Sequence, residues 1–305
     1  MPVTLACYKK IAYFCSTLKT RIMYRLTTLI LAMLLTCSLS AQQLYVGTYN
    51  IRYDNPNDRK EGNAWAQRCP QLCDFINFEQ PAVFGTQEVL ATQLHDLLQG
   101  LEGYDYIGVG RDDGREEGEY AAIFYRKDLL KLLDSGNFWL SQTPDHPSLG
   151  WDAACIRICT WGKFEDKTTG MQFYFFNTHM DHVGTVARRE STRLILQRIG
   201  QLAKSQPTIL TGDFNVDQTD EIYGIFSRSG ILRDCYAHAR QRMAPTGTWN
   251  DFMQDSRSNA RIDHVFVSSD FDIQHYAIFT NSYWLGKSRR NISDHYPVMV
   301  KLSFS

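Results

Sequence analysis

The chain has 305 residues, 44% hydrophobic and 21% charged, a composition typical of a globular protein rather than a disordered, collagenous or coiled-coil chain. Its formal charge of −1 is unevenly distributed. Residues 1–41 contain five basic groups and no acid, which leaves 27 of the 32 basic groups against all 33 acidic groups in the rest. An acidic body argues against broad nucleic-acid binding, which needs clustered Lys and Arg, but permits an enzyme that holds nucleic acid at one site.

The N-terminus has the pattern of an export signal. Arg21 and Arg25 precede an apolar stretch, Leu26–Leu39, that is short for a transmembrane helix and is followed by small residues. We therefore expect residues 1–41 to be a signal peptide, with Met23 as an alternative start, and the mature protein to be periplasmic or secreted. An N-terminal membrane anchor is the alternative.

Residues 42–305 contain no repeat, low-complexity stretch or linker, which predicts a single domain. Five cysteines remain in this range, so at least one is unpaired: Cys69, Cys73, Cys155, Cys159 and Cys235. They form no Cys-x-x-Cys pair, so we expect no structural zinc site.

Apolar periodicity predicts many strands with helices between them. In chain order, the predicted elements are a strand at Leu44–Ile51, a helix across Trp65–Ile76, a strand at Pro81–Thr86, a helix near Thr92–Gln99, strands at Tyr104–Val109, Tyr120–Tyr125, Leu129–Trp139, Ala154–Phe164 and Met171–Asn177, a helix at Val186–Ala203, and strands at Thr208–Thr211, Ile262–Val267, Phe271–Thr280 and Pro297–Leu302. A charged, glycine-containing loop is predicted at Arg111–Glu119. This pattern suits two packed sheets covered by helices.

Polar side chains cluster at the ends of these strands. The clusters supply carboxylate, amide and imidazole groups: Asn50, Glu88, His179, Asp213, Asn215, Asp263, Asp294 and His295. Each group alone is typical of a turn or a helix start, but their repeated occurrence at strand ends predicts one shared site.

These groups fit metal-assisted hydrolysis of a phosphate ester, which needs a cation on the phosphoryl oxygens, a base for water and donors for the developing charge. Oxygen ligands such as Glu88, Asp294 and Asn50 suit Mg²⁺ or Mn²⁺. Asp213 suits the base, with Asn215 donating to a phosphoryl oxygen. His179 and His295 are expected to act as imidazolium ions.

At these residues the chain resembles the endonuclease/exonuclease/phosphatase superfamily, to which deoxyribonuclease I belongs, and in particular an exported bacterial branch. The matching segments are Thr48–Arg52, Thr86–Val89, Asn177–His179, Thr211–Asn215, Arg261–His264 and Ser293–Val298. The resemblance implies an α/β fold, a four-layer sandwich of two packed, mostly antiparallel β-sheets flanked by helices, with the site at one edge of the paired sheets.

The resemblance also implies a role for each matching residue. The implied metal ligands are Glu88, Asn50 and Asp294, and the implied catalytic residues are Asp213, Asn215, His295 with its partner Asp263, and His179 with its partner Glu119. The abasic-site endonuclease branch has a metal-binding Asp where this chain has Arg52, which weakens a DNA-repair role.

We expect an exported, divalent-metal-dependent phosphoesterase that acts as a monomer without an obligate protein partner. Its substrate is left open among nucleic acid, nucleotide, sugar phosphate, inositol phosphate and lipid head group. Arg52, Arg189, Arg289 and Arg290 are candidate substrate-binding residues. Two alternatives remain: a catalytically idle member of the fold that binds a phosphorylated ligand or glycan, and a metallo-β-lactamase fold, whose His-x-His-x-Asp-His motif residues 177–182 match except at the first histidine.

Overall fold

The structure is a computed structural model that describes residues 8–10, 13–14, 17–25 and 43–304. The chain divides into two units, Met1–Gln42 and Gln43–Ser305. In the first unit residues 17–25 are helical, whereas the apolar stretch Leu26–Leu39 of the predicted signal peptide lies outside the described residues. Within the described ranges, no helix is long and apolar enough to cross a bilayer. The signal peptide therefore stays a prediction.

Residues 43–304 form six helices and fifteen strands. The helices are α1 (Pro56–Lys60), α2 (Trp65–Glu79), α3 (Ala91–Gly100), α4 (Thr185–Leu202), α5 (Glu221–Ser227) and α6 (Cys235–His238). The strands are β1 (Gln43–Asn50), β2 (Val83–Gln87), β3 (Tyr104–Ile107), β4 (Ile123–Arg126), β5 (Leu130–Trp139), β6 (Ile158–Asp166), β7 (Gln172–His179), β8 (Thr208–Asp213), β9 (Arg233–Asp234), β10 (Gln241–Met243), β11 (Asp263–Val267), β12 (Phe271–Ile278), β13 (Ser282–Leu285), β14 (Ser288–Asn291) and β15 (Val298–Phe304).

The strands form two large sheets and one hairpin. The first sheet has the order β10-β12-β15-β1-β2-β4-β3 and the second the order β5-β6-β7-β8-β11-β9, while β13 pairs only with β14. Most neighbouring strands are antiparallel; the pairs β1–β2, β7–β8 and β10–β12 are parallel. The predicted pair of mostly antiparallel sheets is confirmed.

Alternating side chains along the strands build a four-layer sandwich. Val46 of β1 and Val83 of β2 belong to the core between the two sheets, together with Phe173 and Ile209 of the second sheet. On the outer face of the first sheet, Tyr49 and its neighbours pack against α2 and α3. On the outer face of the second sheet, β7, β8 and β11 pack against α4 and α5. The predicted four-layer α/β fold is therefore confirmed.

A buried amide fastens the two sheets together just below the site. The Asn177 side chain of β7 donates to the carbonyl oxygens of Thr86 (2.8 Å) and Ala122 (3.0 Å) in or beside the opposite sheet. Its Oδ1 accepts from Gln87 Nε2 at 2.7 Å and from Thr211 Oγ1 at 3.1 Å. This set of four hydrogen bonds fixes the spacing of the strand ends that carry the site.

Replacing Asn177 with Ala is expected to lower the free energy of unfolding by about 2–4 kcal/mol, because several buried polar groups lose their partner at once. Chemical denaturation followed by circular dichroism measures the change. Asn281→Ala, at an exposed position, is the control and should change stability by less than about 0.5 kcal/mol. Equal stability of the two variants would contradict the cross-linking role.

Candidate active site

The sheet topology brings the polar strand ends to one edge. β1 and β2 run parallel, so Asn50 ends one strand beside Gln87 at the end of the other, directly before Glu88. In the second sheet, β7 and β8 are parallel and pair His179 with Asp213 at their ends. β11 runs antiparallel to β8 and starts at the same edge, where Asp263 pairs with Asp213. Residues far apart in sequence therefore meet.

The polar side chains at these strand ends open onto a cavity of about 550 Å³. Its lining comprises Arg52, Tyr53, Glu88, Arg111, Glu119, Cys155, Arg157, His179, His182, Asp213, Asn215, Trp249, Ile262, Asp294 and His295. The predicted site residues Glu88, Asp213, His179 and His295 are thus brought together.

Buried carboxylates gather at one end of this cavity, which we call the metal end and define by Glu88 and Asp294. Arg52 Nη1 lies 3.4 Å from Asp294 Oδ2 and 3.9 Å from Glu88 Oε2. Burial, and then the neighbouring Glu88 carboxylate, raise the pKa of Asp294 to about 6, although His295 and Arg52 oppose the shift. The charged form of Asp294 is therefore disfavoured, chiefly because the carboxylate is buried.

Asn50 takes part at the metal end as a hydrogen-bond donor. Its Nδ2 donates to Glu88 Oε1 at 3.0 Å and to Asp213 Oδ2 at 2.9 Å. Its Oδ1 accepts from the backbone N–H of Arg52 at 3.0 Å. In this arrangement Asn50 holds two carboxylates in place and does not present its oxygen to them, so Glu88 and Asp294 are the stronger candidate ligands.

Asp213 lies at the centre of the site and is almost fully buried. Its Oδ2 is 3.5 Å from His179 Nε2 and 3.7 Å from His295 Nε2. Burial and the Asp263 carboxylate raise the pKa of Asp213 to about 7, against the opposing effects of His295 and Asn50. A carboxylate with a pKa near neutrality is suited to accept a proton from water.

The surroundings of His295 hold its ring in the charged imidazolium form. Its Nδ1 lies 2.8 Å from Asp263 Oδ2, the shortest polar contact of this ring. Burial alone would lower the pKa of His295, but the Asp263 and Asp213 carboxylates outweigh it and raise the pKa well above its ordinary value. The expected imidazolium at His295, backed by Asp263, agrees with this geometry.

His179 differs from the expected imidazolium. Burial, followed by the positive charges of Arg157 and Arg111, lowers the pKa of His179 well below its ordinary value, which favours a neutral ring. Its Nε2 accepts from Asn215 Nδ2 at 3.2 Å, so the ring proton lies on Nδ1. The implied partner Glu119 is 3.8 Å from Nδ1, beyond hydrogen-bond distance, because Glu119 is held by Arg111 at 2.8 and 2.9 Å.

The backbone is unusual at three of the predicted site residues. Arg52, Glu88 and Asn215 have φ angles of 58°, 61° and 52°, a region that non-glycine residues rarely adopt. Asn215 also donates through Nδ2 to the Met180 carbonyl oxygen at 2.9 Å. Such local strain persists where surrounding contacts over-determine it, as at a functional site.

The candidate substrate-binding arginines separate into two groups. Arg52 lines the cavity, whereas Arg189, Arg289 and Arg290 are not among its lining residues. Arg189 forms an ion pair with Glu221. Arg289 and Arg290 belong to β14, and strand pairing with β13 fixes their positions.

Two cavity cations, Arg111 and Arg157, and the neighbouring His182 were not among the predicted site residues. Arg111 begins a segment predicted only as a charged loop, and Arg157 directly precedes β6 with no motif around it. His182 was noted only as part of the near match to the lactamase motif.

The sequence model of the Endonuclease/Exonuclease/phosphatase family matches residues 47–295 of this chain. This range contains every predicted site residue from Asn50 to His295 and most of the chain. The chain belongs to that family.

Solved structures of proteins similar to this chain also belong to this family or share its fold. A family protein from Bacteroides thetaiotaomicron is 46% identical, with a TM-score of 0.85 over 87% of this chain and 98% of that chain. The mannosyl-6-phosphatase of the same species is 47% identical, with a TM-score of 0.85 over 86% of this chain and 100% of that chain. The human nocturnin catalytic domain, 20% identical with a TM-score of 0.66 over 88% of this chain and 95% of that chain, shares the fold.

Membership of the endonuclease/exonuclease/phosphatase family supports a hydrolase that acts on phosphate esters. It also excludes the metallo-β-lactamase alternative. Asn177, which would have had to be a metal-binding histidine, is instead buried between the sheets with all its polar atoms hydrogen-bonded. Asp181 accepts backbone N–H bonds in its own loop.

Proposed function

We propose that this protein is a divalent-metal-dependent phosphomonoesterase whose substrate is a phosphorylated sugar. The observation that carries the proposal is the meeting of Glu88, Asp213, Asp294 and His295 in one cavity. The choice of a sugar phosphate is supported by the mannosyl-6-phosphatase to which the chain is 47% identical over that protein's whole length. Retention of every motif residue favours an enzyme over a ligand-binding module without activity.

The donor set fits Mg²⁺ or Mn²⁺. These ions prefer oxygen ligands, and Glu88 and Asp294 supply buried carboxylates whose mutual repulsion a divalent cation would relieve. Glu88, though not Asp294, also belongs to a close group with His179 and Asp213, whose ligand atoms lie within 4.8 Å of one another. When bound, the ion supplies positive charge to the phosphoryl oxygens.

The other groups of the site have separate chemical roles. Asp213 is placed to accept a proton from the attacking water, because it is buried among donors and has a pKa near neutrality. His295, charged and backed by Asp263, stabilises negative charge as it develops on the phosphate and its leaving oxygen. His179 and Asn215 also line the cavity, and the Asn215 amide is hydrogen-bonded to the His179 ring.

The test is a substrate panel that compares phosphomonoesters, led by mannose 6-phosphate, with phosphodiesters. We expect release of inorganic phosphate from the monoesters, dependent on Mg²⁺ or Mn²⁺ and abolished by a chelator. Binding of sugar phosphates without metal-dependent turnover would instead support the ligand-binding module. Faster turnover of the diesters would overturn the monoesterase proposal.

The pH profile offers a separate test through Asp263, whose carboxylate raises the pKa of both Asp213 and His295. Activity needs ionised Asp213, which limits the acid side, and protonated His295, which limits the alkaline side. In Asp263→Asn both groups lose their proton at lower pH, so both limbs of the profile should move to lower pH.

The measurement is kcat/KM at saturating metal between about pH 5 and about pH 10. Asp134→Asn, at an exposed strand position, is the control and should leave both limbs in place. Limbs that stay unmoved in Asp263→Asn, or that move to higher pH, would contradict these roles.

We also propose that the protein is exported, on the strength of the basic and apolar pattern of residues 21–41. N-terminal sequencing of protein recovered from outside the cytoplasm should find a start close to Gln42. An intact N-terminus on membrane-bound protein would support the anchor instead.

A further inference from the structure

Arg157 is a buried cation with unused hydrogen-bond donors. Its side chain is 5% exposed and lines the cavity. Nη2 lies 3.0 Å from His182 Nδ1, whereas Nε and Nη1 have no hydrogen-bond partner among the described residues. Unpaired donors on a buried guanidinium are costly, and these two nitrogens are shielded from solvent although other parts of Arg157 line the cavity, so a ligand would reach them only if the side chain shifts.

His182 extends the same donor surface toward solvent. Because a guanidinium can only donate, His182 Nδ1 must accept from Arg157, and the ring proton is then on Nε2. His182 is exposed and lines the cavity. The two side chains therefore offer N–H groups and no acceptor, and we call this pair the donor surface.

The charges at the donor surface are already balanced. Arg157 Nε is 3.6 Å from Asp181 Oδ2, close enough for an ion pair but too long for a hydrogen bond. The Asp181 oxygens instead accept from backbone N–H groups, including those of Ala154 and Gly184. Nearby, Glu119 neutralises Arg111 through two hydrogen bonds. A neutral acceptor such as a hydroxyl oxygen suits this surface better than a second anion.

Different arginines lie at the metal end and in the donor surface. Arg52 reaches the metal-end carboxylates, whereas the ion pair of Arg157 is with Asp181. His179 directs Nε2 toward Asp213 at 3.5 Å and Nδ1 toward Glu119 at 3.8 Å. Asp213 and Arg157 line the same cavity, so a substrate whose phosphate lies beside Asp213 has room to extend toward Arg157.

We propose that Arg157 and His182 bind hydroxyl oxygens of the sugar that carries the phosphate, which makes them specificity-determining residues. This inference rests on the proposed function. A site built to hydrogen-bond hydroxyl groups discriminates strongly against analogues that lack them, because its buried donors then stay unpaired.

The experiment compares mannose 6-phosphate with 4-nitrophenyl phosphate, which carries no hydroxyl groups on its leaving group. In Arg157→Gln the ratio of kcat/KM for mannose 6-phosphate to that for 4-nitrophenyl phosphate should fall by about 10- to 100-fold, mainly through KM. His182→Ala, at an exposed position, should lower the ratio in the same direction and guards against misfolding of the buried variant. Arg240→Gln and His275→Ala, at exposed positions, are the matched controls.

A parallel fall in both substrates, with the ratio unchanged, would overturn the inference and leave the proposed function standing. No turnover of either substrate by the wild-type protein would overturn both. A second comparison, 6-phosphogluconate against glucose 6-phosphate, tests for an anion site. If the wild-type protein prefers the carboxylate compound and Arg157→Gln abolishes that preference, the donor surface binds an anion and the hydroxyl assignment is wrong.

Discussion

Replacing Asp213 with Asn is expected to lower kcat by about 10³- to 10⁴-fold, the largest effect of any single substitution in the site. The amide has nearly the same shape as the carboxylate but cannot accept a proton from water. It also removes the negative charge that faces His179 and His295. The measurement is steady-state release of phosphate at saturating metal and substrate.

The control for Asp213→Asn is Asp272→Asn. Asp272 is an exposed aspartate on β12 that forms an ion pair with Arg240. It should retain the wild-type kcat. Thermal unfolding of both variants separates loss of chemistry from loss of structure. A fall in kcat of less than tenfold in a folded Asp213→Asn protein would remove Asp213 from the role of base.

Replacing Glu88 with Gln is expected to act through the metal. The amide keeps an oxygen but loses the charge that attracts a divalent cation, so the Mg²⁺ concentration for half-maximal activity should rise by at least about tenfold. Extra Mg²⁺ should then restore part of the lost activity. A titration of activity against Mg²⁺, repeated with Mn²⁺, measures both effects.

Glu102→Gln, on an exposed turn, is the matched control and should follow the wild-type titration. Loss of activity in Glu88→Gln that no concentration of Mg²⁺ restores would argue against a ligand role. It would point instead to the hydrogen bonds that Glu88 accepts from Asn50 and from the backbone N–H of Tyr53.

The sequence predicts the arrangement of the site wherever a polar group directly follows an apolar strand. Asn50, His179 and Asp213 each end a strand, and pairing of those strands is enough to bring them together. The periodicity also predicts α2 and α4, whose apolar stripes face the sheets. These successes share one cause, because local patterns decide local structure and sheet pairing does the rest.

The features that the sequence does not predict depend on contacts between distant segments. Burial beside Arg157 and Arg111 favours neutral His179, yet nothing in the residues adjacent to His179 indicates this. The hairpin β13–β14 was not predicted, because Ser288–Asn291 has no alternation of apolar and polar residues. This segment is a strand only through its pairing with β13. Arg157 belongs to the same class, since its free donors become visible only in three dimensions.

One divalent ion is expected at the metal end of the cavity, beside Glu88 and Asp294. Crystals grown with Mn²⁺ and measured near the manganese absorption edge test this directly, because anomalous scattering locates the ion independently of any assumption about the site. The strongest anomalous peak is expected within bonding distance of Glu88. A strongest peak at one of the other two close groups of metal-binding side chains (Cys155, Asp181 and His182, or Asp213, Asp263 and His295), with none at Glu88, would contradict this assignment.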